Sequence, residues 1–166
     1  NVATALGIGM VHQHFKLVHN YTVTENIVLG REPRNRFGIV SLNQAEKRVR
    51  ELSERYGFMV DPRAKIDDIT VGQQQRVEIL KTLYSDSDII ILDEPTASLN
   101  ETDSQKLLEL ISKFRDQGMT SIIISHKLNE ISYIANSITV IRDGSTIETL
   151  DNTDHNISED RIIAGM

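Results

Sequence analysis

Residues 88–94 read Asp-Ile-Ile-Ile-Leu-Asp-Glu. Four aliphatic side chains in a row suit a buried strand, and two carboxylates stand where that strand would end. In an open α/β sheet, ligands bind beyond the carboxyl ends of the strands. There Asp93 is suited to holding Mg2+, directly or through water, and Glu94 to polarising a water for attack on a phosphoryl group. The same two acids would equally serve to end a strand and open a turn before Pro95.

Three further places carry candidate chemistry. Residues 69–76 read Ile-Thr-Val-Gly-Gln-Gln-Gln-Arg, with Thr70 and Gly72 at the start of a predicted helix. The free N–H groups and positive dipole end of a helix favour an anion there, although an ordinary capped helix has the same look. His126 follows the apolar run 122–124, where it would reach a terminal phosphate or simply close a strand. Gln13 follows a first apolar run and is suited to helping coordinate a metal or placing a water. Taken singly, the last three are weak.

The elements that must position these residues are legible from patterning. Gly7–His12 reads as a buried strand. Thr24 is placed to cap a short helix running to Gly30, and Gly30, Pro33 and Gly38 interrupt any longer periodicity. Leu42, Ala45, Val49, Leu52 and Tyr56 recur at three-and-four spacing, so 42–56 is predicted as a helix with one apolar face. Ser41 with Gln44 makes a capping-box pattern at its start, and Gly57 a stop. A second helix is expected from about Val71 to Tyr84 and a third over 102–117, ending at Gly118. Residues 127–135 read as helical. Ser137–Ile141 and Ser145–Leu150 flank Asp143-Gly144, a tight hairpin signal, and a short acidic helix at 158–164 closes the chain.

Strands that are apolar at every position and separated by helices predict a parallel sheet covered on both faces. The expected fold is therefore α/β, one domain over 1–166. A helical insert occupies about 20–84, a sheet-bearing core 1–19 and 85–150, and a tail 151–166. The net charge of −6 argues against nucleic acid as a partner, because a phosphate backbone demands a basic face. There is no cysteine, which excludes disulfides and thiolate metal sites. No apolar run approaches the roughly 20 residues that span a bilayer, and none reads as a basic-then-apolar leader.

Order and spacing raise the weight of the four sites together. Gln13, a helical insert, TVGQQQR, DIIILDEPTASLN and IIISHK follow one another as they do in the ATP-binding-cassette family, which this chain resembles over nearly its whole length. The resemblance implies a partial RecA-like P-loop NTPase core of the ABC type, binding ATP and Mg2+. It makes Gln13 the Q-loop glutamine and residues 69–73 the signature, with Thr70, Val71, Gly72 and Gln73 on nucleotide. Asp93 and Gln13 would serve Mg2+, Glu94 would be the catalytic glutamate, and His126 the switch histidine. Ala97–Asn100 corresponds to the D-loop, with Asn100 where many relatives carry aspartate.

The finer likeness is to the first cassette of tandem-cassette bacterial sugar importers, carried by GIGMVHQHFKLVHNYTVTENIVLG, LDEPTASL and SIIISHKLNEISYIANSITVIRDGSTIETL. The nucleoside-import branch shares GMVHQHF. The resemblance implies transmembrane permease subunits, a second cassette and, indirectly, a periplasmic sugar-binding protein as partners. It implies a peripheral place on the cytoplasmic face of the inner membrane. The tail ISEDRIIAGM is similar to the point where a first cassette hands over to a second.

Two features depart from the pattern. The signature is ITVGQ where LSGGQ is usual; threonine keeps the hydroxyl, and valine is common in sugar importers. There is also no G-x-x-x-x-G-K-[ST], the loop whose N–H groups and lysine hold the phosphates. The chain opens at Asn1, so truncation is the expected cause, and the chain alone is expected not to hydrolyse ATP. In this class the phosphate-loop strand lies between the histidine strand and the next one. Unpaired backbone is therefore expected between 122–125 and 137–141. A cassette ATPase acting on DNA or in translation is the competing class. Only residues 14–68 separate Gln13 from the signature, with neither heptads nor cysteines, and the sugar-importer stretches disfavour it further.

Overall fold

The computed structural model describes residues 5–33 and 41–166 and resolves into two compact units, one ending at Ile124 and the other beginning at Ser125. In the first, strand β1 (Ile8–Val11) is followed by helices α1 (Val23–Val28) and α2 (Leu42–Tyr56). A 3-10 turn (Ile66–Asp68) leads to helix α3 (Val71–Leu83). Strand β2 (Ile89–Asp93), helix α4 (Glu101–Asp116) and strand β3 (Thr120–Ile124) complete it. The sheet is parallel, in the order β1-β2-β3, with Val11 opposite Leu92 and Asp93 opposite Ile124. The expected α/β class with parallel strands is therefore present, and helices fill the stretch between β1 and β2.

Local chemistry explains the helix boundaries. α1 starts at Thr22 rather than Thr24, because only Thr22 has a glutamate three residues on. Glu25 N–H donates to Thr22 Oγ1 at 3.2 Å and Thr22 N–H donates to Glu25 Oε2 at 2.7 Å. Thr24 lies inside the helix, its hydroxyl donating to the Pro62 carbonyl at 2.9 Å. α2 has the predicted limits, and Gly57 ends it in the left-handed region at φ 72°. The Ser41–Gln44 capping box does not form: the Ser41 side chain accepts no cap hydrogen bond. Ala45, Val49 and Tyr56 are buried as the periodicity requires, whereas Leu42 is exposed. Gly38 lies outside the described residues.

The sheet is covered unevenly, against the expectation of two covered faces. Val11, Ile90 and Leu92 are fully buried on one face, to which Gly9 also belongs. A Cβ on Gly9 would run into Thr82 Cγ2, so the end of α3 lies directly on β1. On the opposite face Met10, Ile122 and Ile124 are 41, 48 and 50 % exposed. An apolar run reports that a segment suits a strand; it does not say what lies above and below. Among the described residues β3 has only β2 beside it, and β4 (Ser137–Arg142) only β5 (Ser145–Asp151).

The core extends through an aromatic cluster. Phe58 and Phe114 are fully buried, and Tyr56 meets Phe114 edge-on at 5.3 Å and Phe58 at 6.2 Å between centroids. It fastens the end of α2 to α4.

The second unit holds helix α5 (Leu128–Ile134), the antiparallel hairpin of β4 and β5 (Ser145–Asp151), and helix α6 (Glu159–Ile163). Asp143 and Gly144 both have positive φ, 51° and 74°, the tight turn that the pair predicts. Asn152 is fully buried: its Nδ2 donates to the Ser132 and Ala135 carbonyls and its Oδ1 accepts from Ile157 N–H. Arg161 makes two hydrogen bonds to Glu148, at 2.7 and 2.6 Å, fixing α6 to β5.

Candidate nucleotide site

The parallel register of β1 and β2 brings two of the predicted places to one sheet edge. Gln13 stands two residues beyond Val11, and Asp93 is the last residue of the neighbouring strand. Gln13 is exposed; Asp93 and Glu94 are half-buried. Glu94 continues the ladder, its N–H donating to the Ile124 carbonyl at 2.8 Å, but at φ 47°. A non-glycine residue in the left-handed region carries backbone strain, which gathers where a side chain must be aimed. Beyond it the chain turns tightly: Ala97 N–H donates to the Glu94 carbonyl and Leu99 N–H to that of Thr96, a residue with no exposure. Asn100 then caps α4, its Oδ1 accepting from Asp103 N–H at 2.8 Å and its Nδ2 donating to Asp103 Oδ2 at 3.0 Å.

The other cluster forms the start of α3. Gln73 N–H donates to Thr70 Oγ1 at 3.2 Å and Thr70 N–H to Gln73 Oε1 at 3.0 Å, a reciprocal capping box. Thr70 and Gln73 thus have a local role, and the first N–H groups of the helix, at Val71 and Gly72, have no intrahelical acceptor. Val71 is exposed and Gly72 buried. A Cβ on Gly72 would lie 2.9 Å from the Asp103 carboxylate. Sequence reading missed Asp103. Its one local signal is its place three residues after Asn100, as in a cap; its approach to Gly72 spans 31 positions and leaves no local trace.

Among the described residues no hydrogen bond joins Thr70 to Asp93; the capping bonds of Thr70 go to Gln73. α3 meets β1 near Thr82, and Thr70 stands twelve residues back along the helix, about 18 Å at 1.5 Å per residue. His126 belongs to the second unit, where it is exposed, between Ser125 and the start of α5; there the Ser125 hydroxyl accepts from Lys127 N–H at 3.1 Å. Among the described residues no three of His, Cys, Asp and Glu cluster as a metal site. One carboxylate beside one carboxamide still fits Mg2+, which keeps several waters and takes its other ligands from substrate phosphates.

The ABC transporter family profile matches residues 3–97, more than half of the chain. The chain belongs to the ABC transporter family. Among curated members it is 51 % identical to the nucleoside import ATP-binding protein of Lactococcus lactis, over 95 % of this chain and 31 % of that one. It is 47 % identical to the L-arabinose transport ATP-binding protein of Geobacillus stearothermophilus, over 97 % of this chain and 31 % of the other. With the guanosine import ATP-binding protein of Bacillus subtilis the identity is 50 %, over 96 and 31 %. The chain thus spans under a third of the length of these curated relatives. Its fold is that of a solved metal-chelate type ABC transporter in an inward-facing conformation, at TM-score 0.77 and 21 % identity, covering 95 % of this chain and 63 % of that one.

Proposed function

We propose that the chain is part of an ATP-hydrolysing cassette that energises import of a simple sugar across the bacterial inner membrane. The observation that carries this reading is the division of the site. Gln13, Asp93 and Glu94 share one sheet edge, while Thr70–Gln73 open α3, a helix whose far end packs against Gly9 of β1. On this reading each copy presents two half-sites, and the nucleotide lies between two cassettes.

Each residue has a distinct task. Asp93 and Gln13 hold Mg2+, which supplies charge neutralisation at the phosphates when bound. Glu94 orients a water and accepts its proton. The N-terminus of α3, with the Thr70 hydroxyl, offers donors to the terminal phosphate of a nucleotide held by the other cassette. Asn100 keeps the turn after Glu94 in place through its cap, and His126 hydrogen-bonds the terminal phosphate. These 166 residues contain no G-x-x-x-x-G-K-[ST], so none of the tasks named here includes that of a phosphate loop. Permease subunits, a second cassette and a periplasmic sugar-binding protein are the partners. A peripheral position at the cytoplasmic face is compatible with the absence, among the described residues, of any helix long and apolar enough to cross a membrane.

A second reading, import of a nucleoside, is favoured by the relatives at 51 and 50 % identity, whose names specify nucleoside and guanosine import. Uptake of labelled sugar against labelled nucleoside by the assembled importer separates the two. The cassette itself is tested by calorimetric titration with Mg2+–ATP. The 166-residue chain is expected not to bind, and a version extended upstream through a phosphate loop is expected to bind and hydrolyse. Glu94→Gln in the extended version should retain binding and lose hydrolysis. An extended version that binds no ATP would overturn the proposal.

A further inference from the structure

Glu78 sits on α3 amid Val77, Ile79 and Leu80, all without exposure, and is itself 9 % exposed. A carboxylate in such company loses hydration, a cost that an aliphatic residue would avoid. What it gains is one bond to a distant segment: Lys16 N–H donates to Glu78 Oε1 at 2.6 Å, across 62 positions. Lys16 lies three residues beyond Gln13. One turn further along the same helix, Lys81 Nζ reaches the Lys16 carbonyl at 3.5 Å. Both polar groups of the Lys16 backbone are thus addressed by the helix that begins at Thr70.

Other bonds hold the neighbouring residues, but to other elements. The fully buried Asn26 of α1 accepts from Val18 N–H at 2.7 Å and donates to the Val18 and Thr22 carbonyls at 3.0 Å. Asp67 N–H donates to the His19 carbonyl and Ile66 N–H to that of Tyr21. Gln74 Nε2, in the first turn of α3, donates to the Ile66 and Ile69 carbonyls at 3.3 Å. The network closes a ring: α3, the 66–69 turn, the 18–22 segment and, through Glu78, α3 again.

We propose that Glu78 is a positioning residue that couples the signature helix to the segment following Gln13, so that the two half-sites of one cassette shift together. This rests on the function proposed above. Thr70 and Glu78 are eight residues apart, about 12 Å of continuous helix, which carries a displacement of one end to the other. A nucleotide drawing on the Thr70 end is thereby felt at Gln13, and the reverse.

The test has two arms. In the 166-residue chain, amide hydrogen exchange is followed by NMR for Glu78→Met, which keeps volume and removes the acceptor, and for Glu78→Gln, which restores an acceptor. Protection at Lys16 is expected to fall about tenfold or more in the first and to stay within about twofold in the second, as loss of one charge-assisted bond implies. Val18, held by Asn26, should not change in either; in Asn26→Ala it should lose protection instead. In the version that contains a phosphate loop, Glu78→Met is expected to lower kcat about tenfold with KM for ATP nearly unchanged, and Glu78→Gln to recover most of it. Unchanged protection at Lys16 in Glu78→Met would remove the tether and the proposal with it. Lost protection with wild-type kcat would overturn the coupling. If the wild-type extended protein hydrolyses no ATP, the proposed function fails first, and Glu78 is left a structural tether, with Lys16 exchange still reading it.

Discussion

β2 and β3 lie side by side in one sheet, and both are built of three consecutive isoleucines, yet they live in different surroundings. β2 is paired on both edges, and its Ile90 and Leu92 have no exposure. β3 is paired on one edge among the described residues, and its Ile122 and Ile124 are about half exposed. The strand that aims Asp93 and Glu94 is therefore the better braced of the two. A pair of acids at the end of a strand is useful only if their backbone does not give, and two flanking ladders restrict it most.

Predictions sharpen this contrast, in falling order of effect. Leu92→Ala should cost about 2–5 kcal/mol, as for other large-to-small changes at fully buried sites, read by urea denaturation. A loss under about 1 kcal/mol would show that β2 is no better braced than β3. Gly9→Ala places a methyl group against Thr82 Cγ2 and should cost about 1–3 kcal/mol, unless α3 can move off the sheet. Glu94→Gly should raise stability by up to about 1 kcal/mol, since glycine adopts φ 47° without strain. A loss there would mean that the glutamate side chain repays its own strain. Ile122→Thr on β3 should leave stability within about 1 kcal/mol while reducing self-association in sedimentation.

The smallest effect is expected outside the sheet. Hydrogen bonds from Arg161 hold the Glu148 carboxyl below the usual glutamate range. A depressed folded-state value means that the pair stabilises above the unfolded-state value and is lost as pH falls through the folded one. The second unit should therefore loosen only as pH falls below the usual glutamate range, and Glu148→Gln should flatten that part of the pH profile.

How much of this was legible in the sequence differs by scale. α2, α3 and α4 follow from apolar spacing and from Gly57 and Gly118, and the hairpin from Asp143-Gly144. The cap of α1 was misread at Thr24 because both threonines offer a hydroxyl; the reciprocal bond from Glu25 decides for Thr22. Gln13, Asp93 and Glu94 could be placed because strand ends in a parallel sheet share an edge. Lys16 with Glu78 and Gly72 with Asp103 could not, since each joins residues far apart in the chain. The only local hint of the first is a carboxylate within an apolar run, Val-Glu-Ile-Leu.

The aromatic cluster at the end of α2 has an optical consequence. The chain has four tyrosines and no tryptophan, so no indole dominates the tyrosine emission. Tyr21 and Tyr133 are exposed and Tyr84 is half-buried, whereas Tyr56 is 6 % exposed and clasped by two phenylalanines. Near-ultraviolet dichroism, which reads aromatic rings held in asymmetric surroundings, will draw on Tyr56 and the two phenylalanines about it. The molecule carries its own gauge of whether α2 is seated on α4, with no label added.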